Sequence, residues 1–189
     1  MSPGWLSPAI LLQLSIKFTN EAPAGIMAGI KNTYNWLNQD VLDSVSDPKW
    51  KTMLFALAFM HTIVQERRKF GPLGFNILYE FSQADLSACV NYMQNHLNMM
   101  ETKRRPVDWI TVNYMVCDVQ YGGKITDDFD RRLFNTYGKS WLTEKCLAPD
   151  FKFVQGNETY YIPPVNQDIE VYRKYIEQLP LVDDPEVFG

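Results

Sequence analysis

Residues 47–81 read DPKWKTMLFALAFMHTIVQERRKFGPLGFNILYEF, and the way this stretch folds dictates what the rest of the chain must do. Asp47 is placed to cap a helix, and Pro48 suits the first helical position, where an N–H would have no partner. Met53–Met60 is MLFALAFM, apolar on every side. A helix that is apolar all round must be covered on most of its faces. The run is too short to span a bilayer, which takes about 20 apolar residues. It therefore reads as the central helix of a bundle. Gln65-Glu66-Arg67-Arg68-Lys69 brings cations to its C-terminal end, where the macrodipole favours them. Gly71-Pro72-Leu73-Gly74 stops it.

Composition supports a packed domain. The 189 residues are 46% hydrophobic and 14% aromatic, enough for a core and against general disorder. Net charge is −4, and Lys and Arg are dispersed apart from clusters at 66–69 and 103–105, which argues against a nucleic-acid surface. Cys89, Cys117 and Cys146 each fall on an apolar helix face and fit core packing in a reducing compartment. Ala9–Ile16 is apolar but has neither a basic leader nor a small-residue cleavage site, so neither a signal peptide nor a membrane span is expected. Without a secretory signal, the sequon Asn157-Glu158-Thr159 reads as chance.

Outward from the central helix, Ile10–Thr19 is expected as a short strand or extended segment, clearest over Ser15–Thr19, whose partner would lie outside this chain. Ile26, Ile30, Tyr34 and Leu37 lie on one helical face, and the Gly25/Gly29 spacing suits close packing. Ser82, with Asp85 three residues on, starts a helix striped by Leu86, Cys89, Val90, Met93, Leu97 and Met100. Thr102–Pro106 reads as a basic loop. Asp108–Tyr121 is predicted as a helix with Trp109, Val112, Val116 and Val119 inward, ended by Gly122-Gly123. Thr126 is expected to cap the next helix, with Asp127, Asp128 and Asp130 in its first turn and Phe129, Leu133, Tyr137 and Trp141 buried, reaching about Leu147. Residues 149–166 read as an irregular or weakly β loop, followed by a last helix over 167–178. The fold class is all-α: a helical bundle with an N-terminal extended segment and an irregular C-terminal loop plus final helix.

Chemical motifs are scarce. A phosphate-cradling P-loop needs G-x-x-x-x-G-K-[ST]; neither Gly71-Pro72-Leu73-Gly74 nor Gly122-Gly123-Lys124 satisfies it. His61 and His96 sit on different helices, and Cys89 and His96 have no third ligand near them, so no metal site is expected. No nucleophile–base order stands out, and the aspartates after Thr126 have an adequate role as helix-start charges. The arginine pairs Arg67/Arg68 and Arg131/Arg132 remain, as planar donor forks able to meet an anion on another domain, or an internal partner such as Glu66 or Asp128.

Four strings resemble signatures of dynein heavy chains, most closely the axonemal outer-arm type. They are Ser15–Gly25 (SIKFTNEAPAG), Glu66–Asn76 (ERRKFGPLGFN), Tyr121–Arg132 (YGGKITDDFDRR) and Asp184–Gly189 (DPEVFG), in family order across nearly the whole chain. Two positions depart from the usual pattern: Phe75 stands in place of Trp, and Leu78 in place of Pro, which leaves the loop after Asn76 less rigid.

The resemblance implies a lid subdomain of the sixth AAA+ module. Residues 1–23 would close the large subdomain, 24–148 form the helical lid, and 149–189 lead toward the C-terminal domain, with Met1 an expression start. It further implies a structural and mechanical part of an ATP-driven, minus-end-directed microtubule motor of the cytoskeleton and ciliary axoneme. Such a piece would have no catalytic site and no cofactor of its own, ATP belonging to the parent motor. Its partners would be the neighbouring AAA+ modules, the C-terminal domain and subunits of the dynein complex, without direct contact to microtubules, nucleic acid or membrane. Interface candidates from motif position are Arg67, Arg68, Lys69, Asn76, Lys124, Asp128, Arg131 and Arg132. Two other readings stay open: a nucleotide-sensing lid that touches phosphate through arginines, and a docking module for an axonemal partner.

Overall fold

The computed structural model describes residues 24–164 and 168–188, so the segment expected as a strand at 15–19 lies outside the described residues. Among those residues the chain folds around α3, Lys49–Arg67. Asp47 accepts a hydrogen bond from the Lys49 amide at 2.9 Å, and Pro48 takes the capping position just before the helix instead of its first turn. Every residue from Met53 to Val64 is buried. The cover comes from α1 (Ile26–Trp36), α4 (Gln83–Lys103), α6 (Asp128–Trp141) and two 3-10 turns, Glu144–Leu147 and Pro185–Phe188. A short α2, Gln39–Leu42, joins α1 to α3.

Packing against α3 is close enough to select side chains. A Cβ at Gly29 would lie 2.4 Å from Thr62 Cγ2, so α1 crosses α3 where there is no space for a methyl group. Ile26, Ile30, Tyr34 and Leu37 are buried as their spacing predicts. Tyr34 stacks on Tyr172 of α7 (Ile169–Gln178), with ring centroids 5.6 Å apart. At α4, the Ser82 amide donates to Asp85 Oδ2 at 2.7 Å, the half of a capping box that the sequence suggests.

The irregular stretch after Leu147 holds an antiparallel bridge, Lys152 to Tyr161, which sets Phe153 flat on Phe59 with 3.8 Å between centroids. Trp141 Nε1 donates to the Phe153 carbonyl at 2.9 Å, tying this loop to α6. Cys89, Cys117 and Cys146 are free and buried, and burial pushes each thiol up to about 12.

Two helices differ from expectation. The one beginning at Trp109 is α-helical only to Asn113 (α5), and Tyr114–Tyr121 continues it as a π-helix. Pairing i to i+5 widens each turn, so the inward face moves to Val112, Val116, Cys117 and Tyr121, and Val119 is left partly exposed. The wider turn brings the Tyr121 hydroxyl within 2.7 Å of His61 Nδ1. In α6 the cap is Asp127, not Thr126; its Oδ1 accepts from the amides of Phe129 and Asp130. The inward face is Asp130, Phe134, Tyr137 and Trp141, and Phe129 is 69% exposed instead of buried. Successive helical residues point about 100° apart, so turning the Asp130 carboxylate inward turns Phe129 out. α6 ends at Trp141, short of the expected Leu147.

Candidate inter-module interface

The resemblance strings 66–76 and 121–132 meet at one corner of the bundle, at the C-terminal end of α3. Beyond Arg67 the chain makes a tight 3-10 segment, Arg68–Leu73, interrupted at Gly71, whose φ of 56° suits a residue without a Cβ. Gly74 has no alternative, since a Cβ there would lie 1.9 Å from the Arg67 carbonyl oxygen.

Arg67 turns back into the corner. Its Nε and Nη2 donate to the Gly74 carbonyl at 3.1 and 2.7 Å, and its Nη1 donates to the Tyr137 hydroxyl at 2.8 Å. The guanidinium also lies 5.5 Å from the centre of the Phe75 ring and 5.8 Å from that of Tyr137. At 6% exposure it is an internal brace, with its planar fork spent on this chain.

Asp130 fixes the far side of the turn. Its Oδ1 accepts from the Asn76 amide at 2.9 Å, and its Oδ2 from the Ile77 amide at 3.1 Å and the Tyr79 hydroxyl at 3.0 Å. The Asn76 side chain donates to Asp127 Oδ1 at 3.1 Å. That bond and the Asp130 amide, the larger effect, hold the Asp127 carboxyl below its ordinary range. Buried carboxylates need such partners, and Asp130, 3% exposed, has three.

The segment at 183–188 and the start of α1 arrive at the same corner. Tyr137 donates onward to the Phe188 carbonyl, and the Phe70 and Phe188 rings lie 5.0 Å apart. Glu66 accepts from Lys69 at 2.7 Å and from the Gly25 amide at 3.0 Å. Asp183 accepts from the Ile26 amide at 2.9 Å. Burial holds the Asp183 carboxyl above its ordinary value, the Ile26 bond opposes this, and the charge of Glu66 adds to it.

The other candidates face outward to different degrees. Arg68 is exposed and lies 3.7 Å from Glu80. Lys124 reaches Asp85 at 2.7 Å, and Arg131 Nη2 donates to the Ile125 carbonyl at 2.7 Å. Asp128 and Arg132 are exposed, with no side-chain partner among the described residues. Around them the turn presents apolar side chains to solvent: Leu73 at 90% exposure, with Leu78, Ile77 and Phe129. Asp130 and Tyr137, the residues that organise the corner, read in the sequence only as a helix-start charge and a core aromatic. Among the described residues no group of three or more His, Cys, Asp or Glu is placed to hold a metal, and no helix is long and apolar enough to cross a membrane.

A bundle that is all-helical among the described residues and closed on one buried helix, with two of its four signature strings locked at one corner, has the architecture of a lid module. Residues 50–189 match the family described as the dynein heavy chain AAA lid domain, and the chain belongs to that family. It is 53% identical over 182 residues to dynein axonemal heavy chain 5 of Mus musculus, an alignment covering 96% of this chain. It is 52% identical to dynein axonemal heavy chain 8 of Homo sapiens, and 47% identical to the dynein gamma chain, flagellar outer arm, of Chlamydomonas reinhardtii. In each case the chain spans 4% of the relative's length.

Proposed function

We propose that this chain is the structural lid of the sixth AAA+ module of an axonemal, outer-arm dynein heavy chain, and that its role is mechanical. The heavy chain is the ATP-driven, minus-end-directed microtubule motor of the cilium or flagellum, and this piece neither holds nucleotide nor touches the microtubule. The observation that carries the reading is the corner just described. There Glu66 and Asp183 hold the start of α1, Arg67 and Tyr137 join the end of α3 to α6 and Phe188, and Asp130 holds the turn at 76–79, so that these segments form one hydrogen-bonded unit. Packed interiors resist compression and transmit displacement. A force applied at one of these segments therefore reaches the others without loss in a loose hinge.

The outward residues of the corner, Arg68, Lys69, Asn76, Lys124, Asp128, Arg131 and Arg132, with Leu73, Leu78 and Phe129, form the contact surface for the neighbouring modules. Arg67 acts from inside, so a phosphate-sensing role is disfavoured for it. Charge-reversed and apolar-to-charged changes (Arg132→Glu, Leu73→Asp, Phe129→Asp) in a full heavy-chain motor test the reading. Microtubule gliding is expected to slow while ATP turnover persists, because coupling fails and chemistry does not. Unchanged gliding in all three variants, or ATP hydrolysis by this chain alone, would overturn it.

A further inference from the structure

The opposite end of α4 carries a feature that the corner does not use. Lys103, Arg104 and Arg105 are consecutive and exposed, and none of the three has an ion-pair partner among the described residues. The anions beside them, Glu101 and Asp108, form no ion pair with the group among the described residues. Asp108 caps α5, accepting from the Thr111 amide at 3.2 Å and the Thr111 hydroxyl at 2.7 Å, and its neighbour across α4 is His96. Glu101 is exposed one turn back.

Arg104 adopts φ 51° and ψ 44°, the only positive-φ non-glycine among the described residues. Its amide and that of Arg105 close the helix on the Glu101 and Met100 carbonyls at 3.0 Å. Glycine takes this closing position without strain; an arginine there is strained by its Cβ. The flanks are apolar and open to water. Met99, four residues before Lys103 on α4, is 42% exposed, and Ile110 and Tyr114, four apart on the next helix, are 84% and 57% exposed. Cations flanked by exposed apolar side chains complement a surface that is both acidic and apolar.

We propose that the loop at 103–106, with Met99, Ile110 and Tyr114, docks an acidic amphipathic polypeptide segment. Carboxylates of that segment pair with Lys103, Arg104 and Arg105, while its apolar side chains cover Ile110 and Tyr114. The strained backbone at Arg104 is kept because the guanidinium it carries is used.

The test uses the 189-residue chain and a fluorescein-labelled peptide of Glu and Leu at helical spacing, read by anisotropy. A Gln-for-Glu peptide, single-stranded DNA and phosphatidylserine vesicles serve as competing ligands. The acidic peptide is expected to bind, with affinity that falls as salt rises. Arg104→Gly is expected to weaken binding about tenfold while raising the melting temperature, since it removes both the charge and the strain. Ile110→Ser is expected to weaken binding without any gain in stability. Equal binding of the Gln peptide, tighter binding of DNA or vesicles, unchanged binding by Arg104→Gly, or a lower melting temperature for that variant would each overturn the proposal.

Discussion

The Arg67 guanidinium donates to the Tyr137 hydroxyl at 2.8 Å across 70 residues of sequence, and the same hydroxyl donates to the Phe188 carbonyl. One phenol thus joins the end of the central helix to the segment at 183–188. Burial raises the Tyr137 hydroxyl above its ordinary value, with Arg67 opposing, so it remains a neutral donor at physiological pH.

Tyr137→Phe keeps the ring stacked on Trp141 and removes only that hydroxyl. A buried arginine nitrogen and a buried carbonyl then lose their partner, which costs about 1–3 kcal/mol. Urea denaturation checks the loss. A change within experimental error would mean that the brace contributes nothing.

Asp130→Ala strips the acceptor from the Asn76 and Ile77 amides and the Tyr79 hydroxyl together. The expected destabilisation is about 3 kcal/mol. Asp130→Asn is expected to fall between it and the parent, because it keeps one acceptor oxygen but turns an NH2 toward donors. Equal stability of all three proteins in chemical denaturation would contradict the role given to Asp130.

Burial pushes His61 down to about 4 from an ordinary 6.5, the charge of Asp85 opposing. The folded form therefore keeps a neutral imidazole while the unfolded chain takes up a proton. Stability present above pH 6.5 is expected to fall as pH drops from 6.5 toward 4, by about 3 kcal/mol for this residue. His61→Gln isolates its share. If the difference between the two proteins does not change across that interval, the imidazole is not buried in neutral form.

Gly29→Ala drives a methyl group into Thr62 Cγ2 and should cost about 1–3 kcal/mol. Thr62→Ala removes the obstacle together with the hydroxyl's bond to the Ala58 carbonyl. The double variant should then be more stable than the sum of the single losses predicts, and a double-mutant cycle measures that coupling. Strict additivity would show that α1 and α3 are not in contact there.

Much of this fold is legible in the sequence, because Met53–Met60 has no polar face and so demands a jacket. The stripes of α1 and α4 supply part of that jacket and read correctly at a period of 3.6. A period of 3.6 puts Val119 inward and Tyr121 at a helix end, whereas the period changes at Tyr114, and nothing in the residue types marks a switch to i→i+5 pairing. The pattern alone puts Phe129 inward, because an aromatic outranks an aspartate for burial. Asp130 is buried by partners 54 and 53 residues away, the Asn76 and Ile77 amides, which no local window contains. For the same reason the arginines could be picked out as a cluster in the sequence, while the direction each one faces could not.

Native-state hydrogen exchange at the Asn76, Ile77 and Ile26 amides tests the central claim, that this corner is rigid and continuous with α3. Those three amides should exchange only through the same large opening that exposes the Phe55–Phe59 amides, with matching free energies. Exchange of Asn76 and Ile77 at the rate of an open loop, while α3 stays protected, would show a hinge where a strut is claimed.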